Sequence, residues 1–386
     1  MRVLKFMLRN TLRHKLRTAL TILGISIAVV AFTFLRTVVT AWYAGVEASS
    51  PNRLITRNAV SFIFPLPLSY RDKIAQIPGV ETVSFMNWFQ GVYIDKNQFF
   101  PRMAVDAETA LRIYPEFLVP QDQLEAFRKE RNACVVGADL AQQYNFKLGD
   151  VIPIEGDIYP GRWEFVVRAI YQPRDKTVDG TQMWFHWQYL DERLKQEAPA
   201  RAGYVGWYII RISNPTDAAR ISEEVDALFK NSRAETKTET EAAFQESFIQ
   251  GTSLIIQLLN FLSFVIIGII MLVLGNTMIM SARERTKEYA VLKTIGFSGG
   301  TLAAIIAGES IMISIIGAVV GLFLAYPVVD LFALMVPKSW FPIFFIEPIT
   351  IVLAGMSALL VGVIAAFFPV QRAVRTSIVD GLRFVG

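Results

Sequence analysis

The stretch SFIQGTSLIIQLLNFLSFVIIGIIMLVLGNTMIMSA, residues 247–282, runs for 36 positions without a charged side chain. A helix that crosses ~30 Å of hydrocarbon needs about 20 such residues, so this stretch alone places the chain in a membrane. Fully helical, it would reach roughly 54 Å at ~1.5 Å per residue. The excess predicts a second span that continues outward as a stalk. The polar lead-in from Gln245 to Gln257 also allows a shorter span with an amphipathic approach.

Working outward, three further windows have the same character. Thr18 to Leu35 is uncharged between Arg17 and Arg36; Thr294 to Val329 is interrupted only by Glu309; Pro348 to Gln371 is closed by Arg372. Four transmembrane helices follow. The chain is 53% hydrophobic yet carries 38 Lys and Arg and 34 Asp and Glu, too many charges for a protein that is membrane throughout. A sizeable water-facing part must accompany the spans. One cysteine, Cys134, excludes an intramolecular disulfide framework and any multi-cysteine metal site. Two histidines, His14 and His186, leave little for histidine-based catalysis.

The charges are sorted. Residues 1–17 hold six Lys or Arg and no acid, the segment after the second span holds Arg283, Arg285, Lys287 and Lys293 against Glu284 and Glu288, and the tail holds Arg372, Arg375 and Arg383 against Asp380. Residues 41–250 carry 23 basic and 28 acidic residues. A basic pI near 9.0 is thus a positive-inside signature rather than a nucleic-acid footprint. Both termini are expected in the cytoplasm, with residues 41–250 outside. Val46-Glu47-Ala48 has the spacing of a signal cleavage site, but the apolar run is too long and too distant for one, so the first span reads as an anchor. Lys5, Arg9 and Arg13 recur beside Leu4, Leu8, Leu12 and Leu16, which suits a helix lying in the inner headgroup plane or serves only as a topology flag.

The expected organisation is an α-helical membrane protein with four transmembrane helices and a mixed α+β extracytoplasmic domain between helices 1 and 2. Its boundaries are a cytoplasmic amphipathic N-terminal helix (1–17), transmembrane helix 1 (18–40), the outer domain (41–250) and transmembrane helix 2 (251–280). A cytoplasmic coupling segment (281–300), transmembrane helix 3 (301–326), an outer loop (327–347), transmembrane helix 4 (348–370) and a cytoplasmic tail (371–386) follow. Within the outer domain, Leu68 to Ile77 reads as a helix stopped by Pro78-Gly79, and Val80 to Phe85 as a strand. Arg162 to Tyr171 alternates, with Trp163, Phe165, Val167, Ala169 and Tyr171 on one face. Tyr204 to Ile212 is a strand, and the helix after Asn214-Pro215-Thr216 turns Ala218, Ile221, Val225 and Leu228 inward. Trp163, Trp184, Trp187 and Trp207 are expected in the core, although long hydrophobic targets could use some of them.

No phosphate loop, no H-E-x-x-H, no G-x-S-x-G and no paired histidines are present, and the carboxylates are scattered. An enzyme in its own right is not expected, nor is a cofactor or metal bound by this chain. Glu309 lies inside an apolar run, where an ionised carboxylate is costly: it is protonated, paired or close to the inner surface. Arg36 is expected to snorkel outward, with a salt bridge to a neighbouring helix as the alternative. Gly24/Ala28 and Gly317/Gly321 are small-residue pairs that permit close helix approach.

The segment Arg283-Glu284-Arg285-Thr286-Lys287-Glu288-Tyr289-Ala290-Val291-Leu292-Lys293-Thr294-Ile295-Gly296-Phe297 resembles the E-R-x-[KR]-E-x-x-[VIL]-[LM]-[KR]-x-[IL]-G stretch of MacB/FtsX-like ABC transporter permeases. Gly308-Glu309-Ser310 follows at that family's spacing for a glutamate early in the third span. The tail from Pro369 to Arg383 is similar to the family ending, with Ser377 where proline is usual and Gly381 where alanine is usual. Arg17 to Ile25 matches the usual opening of the first span. Ile77-Pro78-Gly79-Val80, Val135 to Ala141 and Leu148 to Ile152 resemble the periplasmic core domain of MacB-type permeases.

The resemblance implies a permease in the bacterial cytoplasmic (inner) membrane, without its own motor. A separate cytosolic ABC ATPase, in two copies, would bind ATP and Mg, and a second permease copy would complete a homodimer or a related heterodimer. The outer domain would act as a lever in mechanotransmission. An exporter or extruder is the leading function, with a periplasmic adaptor among its partners. An FtsX-like regulator acting on an outer partner such as a wall hydrolase and a LolC/LolE-like lipoprotein-extracting permease share the topology. Arg283, Glu284, Arg285, Lys287 and Glu288, with Val291, Leu292 and Ile295 as apolar anchors and Gly296 closing the segment, would dock on the ATPase. A plain amphipathic connector is the alternative. Lipid, and no nucleic acid, completes the expected surroundings.

Overall fold

A computed structural model describes residues 15–379 apart from 97, 337, 339, 340 and 342. The greater part of the proposed N-terminal amphipathic helix and the end of the tail lie outside the described residues. The chain divides into two compact units: residues up to 41, 252–336 and from 344 onward form one, and residues 42–251 with 337–343 form the other.

The first unit is helical. Span 1 is Lys15–Glu47, span 2 Ser253–Glu284, span 3 Gly299–Met335 and span 4 Pro348–Arg375. Each is long and apolar enough to cross a membrane, and each turns large apolar side chains such as Leu254, Leu272, Phe323 and Phe367 outward. That pattern suits lipid, where the backbone bonds within each helix leave no polar group unsatisfied. Ile25, Val29, Leu274, Ile306 and Val361 form part of its core. Hydroxyls join the helices: Ser26 Oγ donates to Gly317 O at 3.0 Å, and Ser310 Oγ to Gly362 O at 2.7 Å. Gly317 and Gly321 pack on Ile25 and Val29 of span 1, so this small-residue pair serves a contact inside one chain.

Several boundaries differ from expectation: the helix of span 1 runs to Glu47 rather than to 40, and that of span 4 to Arg375 rather than to 370. Gly251-Thr252 interrupts the expected stalk, and Glu241–Gln250 is a separate helix belonging to the second unit. Span 3 runs beyond residue 326 to Met335, because Pro327 costs one backbone bond without ending a membrane helix.

The second unit is built on an 11-stranded mixed sheet. Its order is Thr236–Thr240, Arg53–Asn58, Trp207–Ile212, Val80–Trp88, Arg102–Val105, Met183–His186, Ala133–Gly137, Gly161–Pro173, Val151–Gly156 and Gly91–Val92, with Phe117–Leu118 pairing beside Gly161–Pro173. Hydrophobic clusters cover both faces. The tryptophans expected in the core are there: Trp163, Trp184, Trp187 and Trp207 are all buried. The helix expected over 68–77 is shorter, Tyr70–Ile74, and the chain turns at Gly79, whose φ of +95° suits glycine.

Two facing assignments are corrected. In Gly161–Pro173, Cys134 aligns with Val167 but Val135 with Ala169, so Arg168 is an extra residue and the strand bulges. Trp163, Phe165 and Val167 therefore enter one core, while Ala169 and Tyr171 enter the other. In the helix Ala218–Leu228, Ile221 and Val225 are buried but Leu228 is half exposed. Phe229, just past the helix end, takes the inward position and stacks on Tyr70 at 3.8 Å.

Candidate functional site: the coupling segment and the root of the outer domain

Arg285 sits where span 2 ends and a short helix, Thr286–Thr294, begins. Its guanidinium turns into the helical unit and donates from NH1 to Glu309 of span 3 at 3.0 Å, with both side chains nearly inaccessible. Tyr289, one turn further, is buried and hydrogen-bonded to Arg285; burial pushes its hydroxyl up to about 12. Glu309 is thus paired. A carboxylate that would be costly alone becomes a tie between the start of the short helix and span 3.

Two more ties hold the same segment. Arg17, at the start of span 1, makes a two-pronged pair with Glu284 at 2.8 Å. Lys293 Nζ donates to Val374 O at 2.9 Å and Thr376 O at 2.7 Å, where span 4 ends. A cation there meets unpaired carbonyls at the negative end of the helix dipole. The short helix closes with Gly296 at φ +100°, where Phe297 N–H reaches Leu292 O at 3.0 Å. Ser298 then caps span 3 by accepting from Thr301 N–H.

These ties divide the sequence-proposed docking residues. Leu292 packs inward, whereas Val291, Ile295 and Phe297 are exposed, Ile295 at 69%. Arg283, Lys287 and Glu288 are exposed as well. Glu284 and Arg285 face spans 1 and 3 through their ion pairs. Sequence reasoning singled out both Arg285 and Glu309 but did not join them. The signal was available, because a lone carboxylate in an apolar run calls for a cation. Arg36 is partly buried, its Nε has no hydrogen-bond partner, and no described carboxylate lies within ion-pair distance.

In the outer domain a second cluster stands where the chain comes in and goes out. Arg53 Nε donates to Glu241 Oε2 at 2.7 Å, and its NH1 to Glu116 Oε1 at 2.5 Å. Ser50 N–H also reaches Glu241 at 2.8 Å, and the guanidinium lies 4.3 Å from the Tyr114 ring centroid. Arg53 and Glu241 are buried. The first strand, Arg53–Asn58, pairs antiparallel with the last, Thr236–Thr240, from Leu54 opposite Thr240 to Asn58 opposite Thr236. His186 is a core residue, its Nε2 2.6 Å from Phe127 O, and burial lowers its pKa. Among the described residues no group of His, Cys, Asp or Glu is arranged to hold a metal.

The FtsX-like permease C-terminal family matches residues 260–378, and the MacB-like periplasmic core domain family matches residues 18–228, more than half of the chain. The chain belongs to the MacB/FtsX-like ABC transporter permease family. An uncharacterised ABC transporter permease of Methanocaldococcus jannaschii is 22% identical over 99% of this chain and 97% of its own length. A probable export ATP-binding/permease protein MacB of Pseudomonas entomophila is 28% identical over 45% of this chain, and the match spans 26% of that longer protein. The periplasmic region of MacB from Actinobacillus actinomycetemcomitans is similar over 53% of this chain and 95% of that one, at TM-score 0.38 and 10% identity. With four helices long and apolar enough to cross a membrane and the match to the MacB-like periplasmic core domain, the permease is a membrane protein with a domain of the periplasmic type.

Proposed function

We propose that the chain is the permease subunit of an ABC exporter in the bacterial inner membrane, driven by a separate cytosolic ATPase and working as a dimer with two ATPase copies. The observation that carries this reading is the mounting of the coupling helix. Lys293 ties it to the end of span 4, and at its root Arg285–Glu309 and Arg17–Glu284 tie the junction with span 2 to spans 3 and 1. Its remaining apolar side chains, Val291, Ile295 and Phe297, are exposed. A push on that face is felt by all four helices, and spans 1 and 2 lead directly into the outer domain. The positive-inside charge distribution supports a cytosolic position for this face, and both termini share that side.

The test uses Ile295→Asp. It leaves the inward packing of Leu292 untouched and puts an unpaired charge into the contact, at a cost of several kcal/mol if the partner buries it. The variant should insert and accumulate normally but lose its ATPase on co-purification, or hydrolyse ATP without transport. Lys287→Ala, at the rim, should cost only ~0–1 kcal/mol. Normal binding and coupled transport in Ile295→Asp would end the docking role.

A further inference from the structure

The outer domain has a cleft of about 470 Å³ where the strands Val80–Trp88 and Trp207–Ile212 begin to part. Clefts of ~300–1,000 Å³ with apolar walls and a few placed polar groups are the usual form of a small-molecule site. Phe62, Trp88, Tyr159 and Trp207 supply apolar wall, and Phe62 lies on Trp207 with ring centroids 4.8 Å apart. Ile63, also in the lining, is 88% exposed. Gly206 lets the chain pinch beside the cleft: its N–H donates to Met86 O, and a Cβ there would come within 2.8 Å of that oxygen.

Two polar groups line the same cleft. Asn87 is 94% buried (6% exposed); its Nδ2 donates to Tyr159 Oη at 3.4 Å, while its Oδ1 has no hydrogen-bond partner. A buried acceptor left unpaired is uncommon in native proteins and asks for a donor. Arg201 is exposed and has no carboxylate within ion-pair distance among the described residues. Its NH1 donates to Ile158 O at 3.0 Å, and its guanidinium lies 4.8 Å from the Tyr159 ring centroid. An asparagine with an orphaned acceptor and a cation without a counter-ion thus both touch one tyrosine, the first through its Nδ2, at the edge of an aromatic cleft.

We infer that this cleft binds an anionic amphiphile whose charged end also carries a hydrogen-bond donor, as in an N-acyl amino acid. The carboxylate pairs with Arg201, the amide N–H satisfies Asn87 Oδ1, and the chain lies against Phe62, Trp88 and Trp207. Arginine suits this task because its planar fork meets a carboxylate with parallel donors. Binding requires neither the ATPase nor movement of the spans. A negative result therefore leaves the coupling role standing, and the reverse also holds.

The test uses the full-length chain in phosphatidylcholine nanodiscs and N-lauroylglycine with a diazirine at the end of its chain. After illumination, labelled peptides are mapped by mass spectrometry. Label is expected on peptides containing residues 62–65, 87–88 or 200–207, roughly tenfold stronger than with the uncharged methyl ester, given the usual worth of a hydrogen bond to a charged group. Arg201→Gln should reduce labelling by the acid to the level of the ester and leave the ester unchanged, a split that general unfolding would not produce. Asn87→Leu should abolish the preference for N-lauroylglycine over laurate, which lacks the N–H. Should that buried variant fail to accumulate, the Arg201 comparison decides alone. Equal labelling by acid and ester in the unaltered chain, or labelling confined to the spans, overturns the inference. So does a cleft covered by a second copy, seen as background labelling with cross-links between cysteines placed at Ala200.

Discussion

Replacing Arg285 by methionine removes the cation from Glu309 while keeping an apolar side chain of similar length. At 3.0 Å and an effective dielectric of about 20, the gross attraction between the two charges is roughly 5 kcal/mol. Side-chain exposures of 5% and 7% mean that water cannot replace the lost partner. The expected destabilisation of the helical unit is ~3–5 kcal/mol, as for other buried pairs deprived of one member. Glu309→Met should cost a similar amount, because it takes the carboxylate away from a buried guanidinium. The double variant should regain most of the loss, since both desolvation penalties vanish together. It should remain folded but lack the tie between coupling helix and span 3, so ATP hydrolysis should continue while transport falls. Unfolding of the full chain in mixed micelles, followed by far-ultraviolet circular dichroism, measures the stabilities, and transport per ATP hydrolysed measures the coupling. Two results would refute the reasoning: single variants within ~1 kcal/mol of the parent, the range of exposed pairs, or a double variant whose loss is the sum of the singles.

Gly321→Ala should destabilise the same unit by ~1–3 kcal/mol, because a Cβ there comes within 2.7 Å of Val29 Cβ and 2.8 Å of the backbone oxygen of Ser26. Thermal unfolding checks the size, and an unchanged oligomeric state checks that the contact lies within one chain. Cys134 is fully buried and burial pushes its thiol pKa up, so it should stay silent toward thiol reagents. Single cysteines at Asn231 and Lys287, treated from outside with an impermeant reagent after the outer membrane is permeabilised, should label at 231 only. Labelling at 287 would reverse the orientation.

The spans were legible because length and the absence of charge are local properties, readable window by window. The end of span 3 was not, since Pro327 looks like a stop and a membrane helix tolerates it. In the outer domain, the strand Gly161–Pro173 announced itself by alternation. The pairing of strands did not: Met183–His186 lies between Arg102–Val105 and Ala133–Gly137, and no local pattern encodes that order. The bulge at Arg168 was invisible for a related reason. Alternation continues through it on paper, while the extra residue moves Ala169 and Tyr171 to the other face. Residues 283 to 296 read as one segment, but a linear reading could not separate Leu292, which packs inward, from Ile295, which does not.

The pairing of the first and last strands of the outer domain decides how it responds to a pull. Span 1, through residues 48–52, and span 2, through the helix Glu241–Gln250, both connect to this pair at its Leu54–Thr240 end. Drawing them apart would therefore unzip the ladder one rung at a time, a weaker geometry than shear, in which all rungs share the load. The buried Arg53–Glu241 pair, with Ser50 N–H on the same carboxylate, sits at the rung that takes the load first. Glu116, held by the other side of the same guanidinium, hands part of that load to the neighbouring Phe117 strand. A zip locked at its open end resists parting at the very rung where parting would begin.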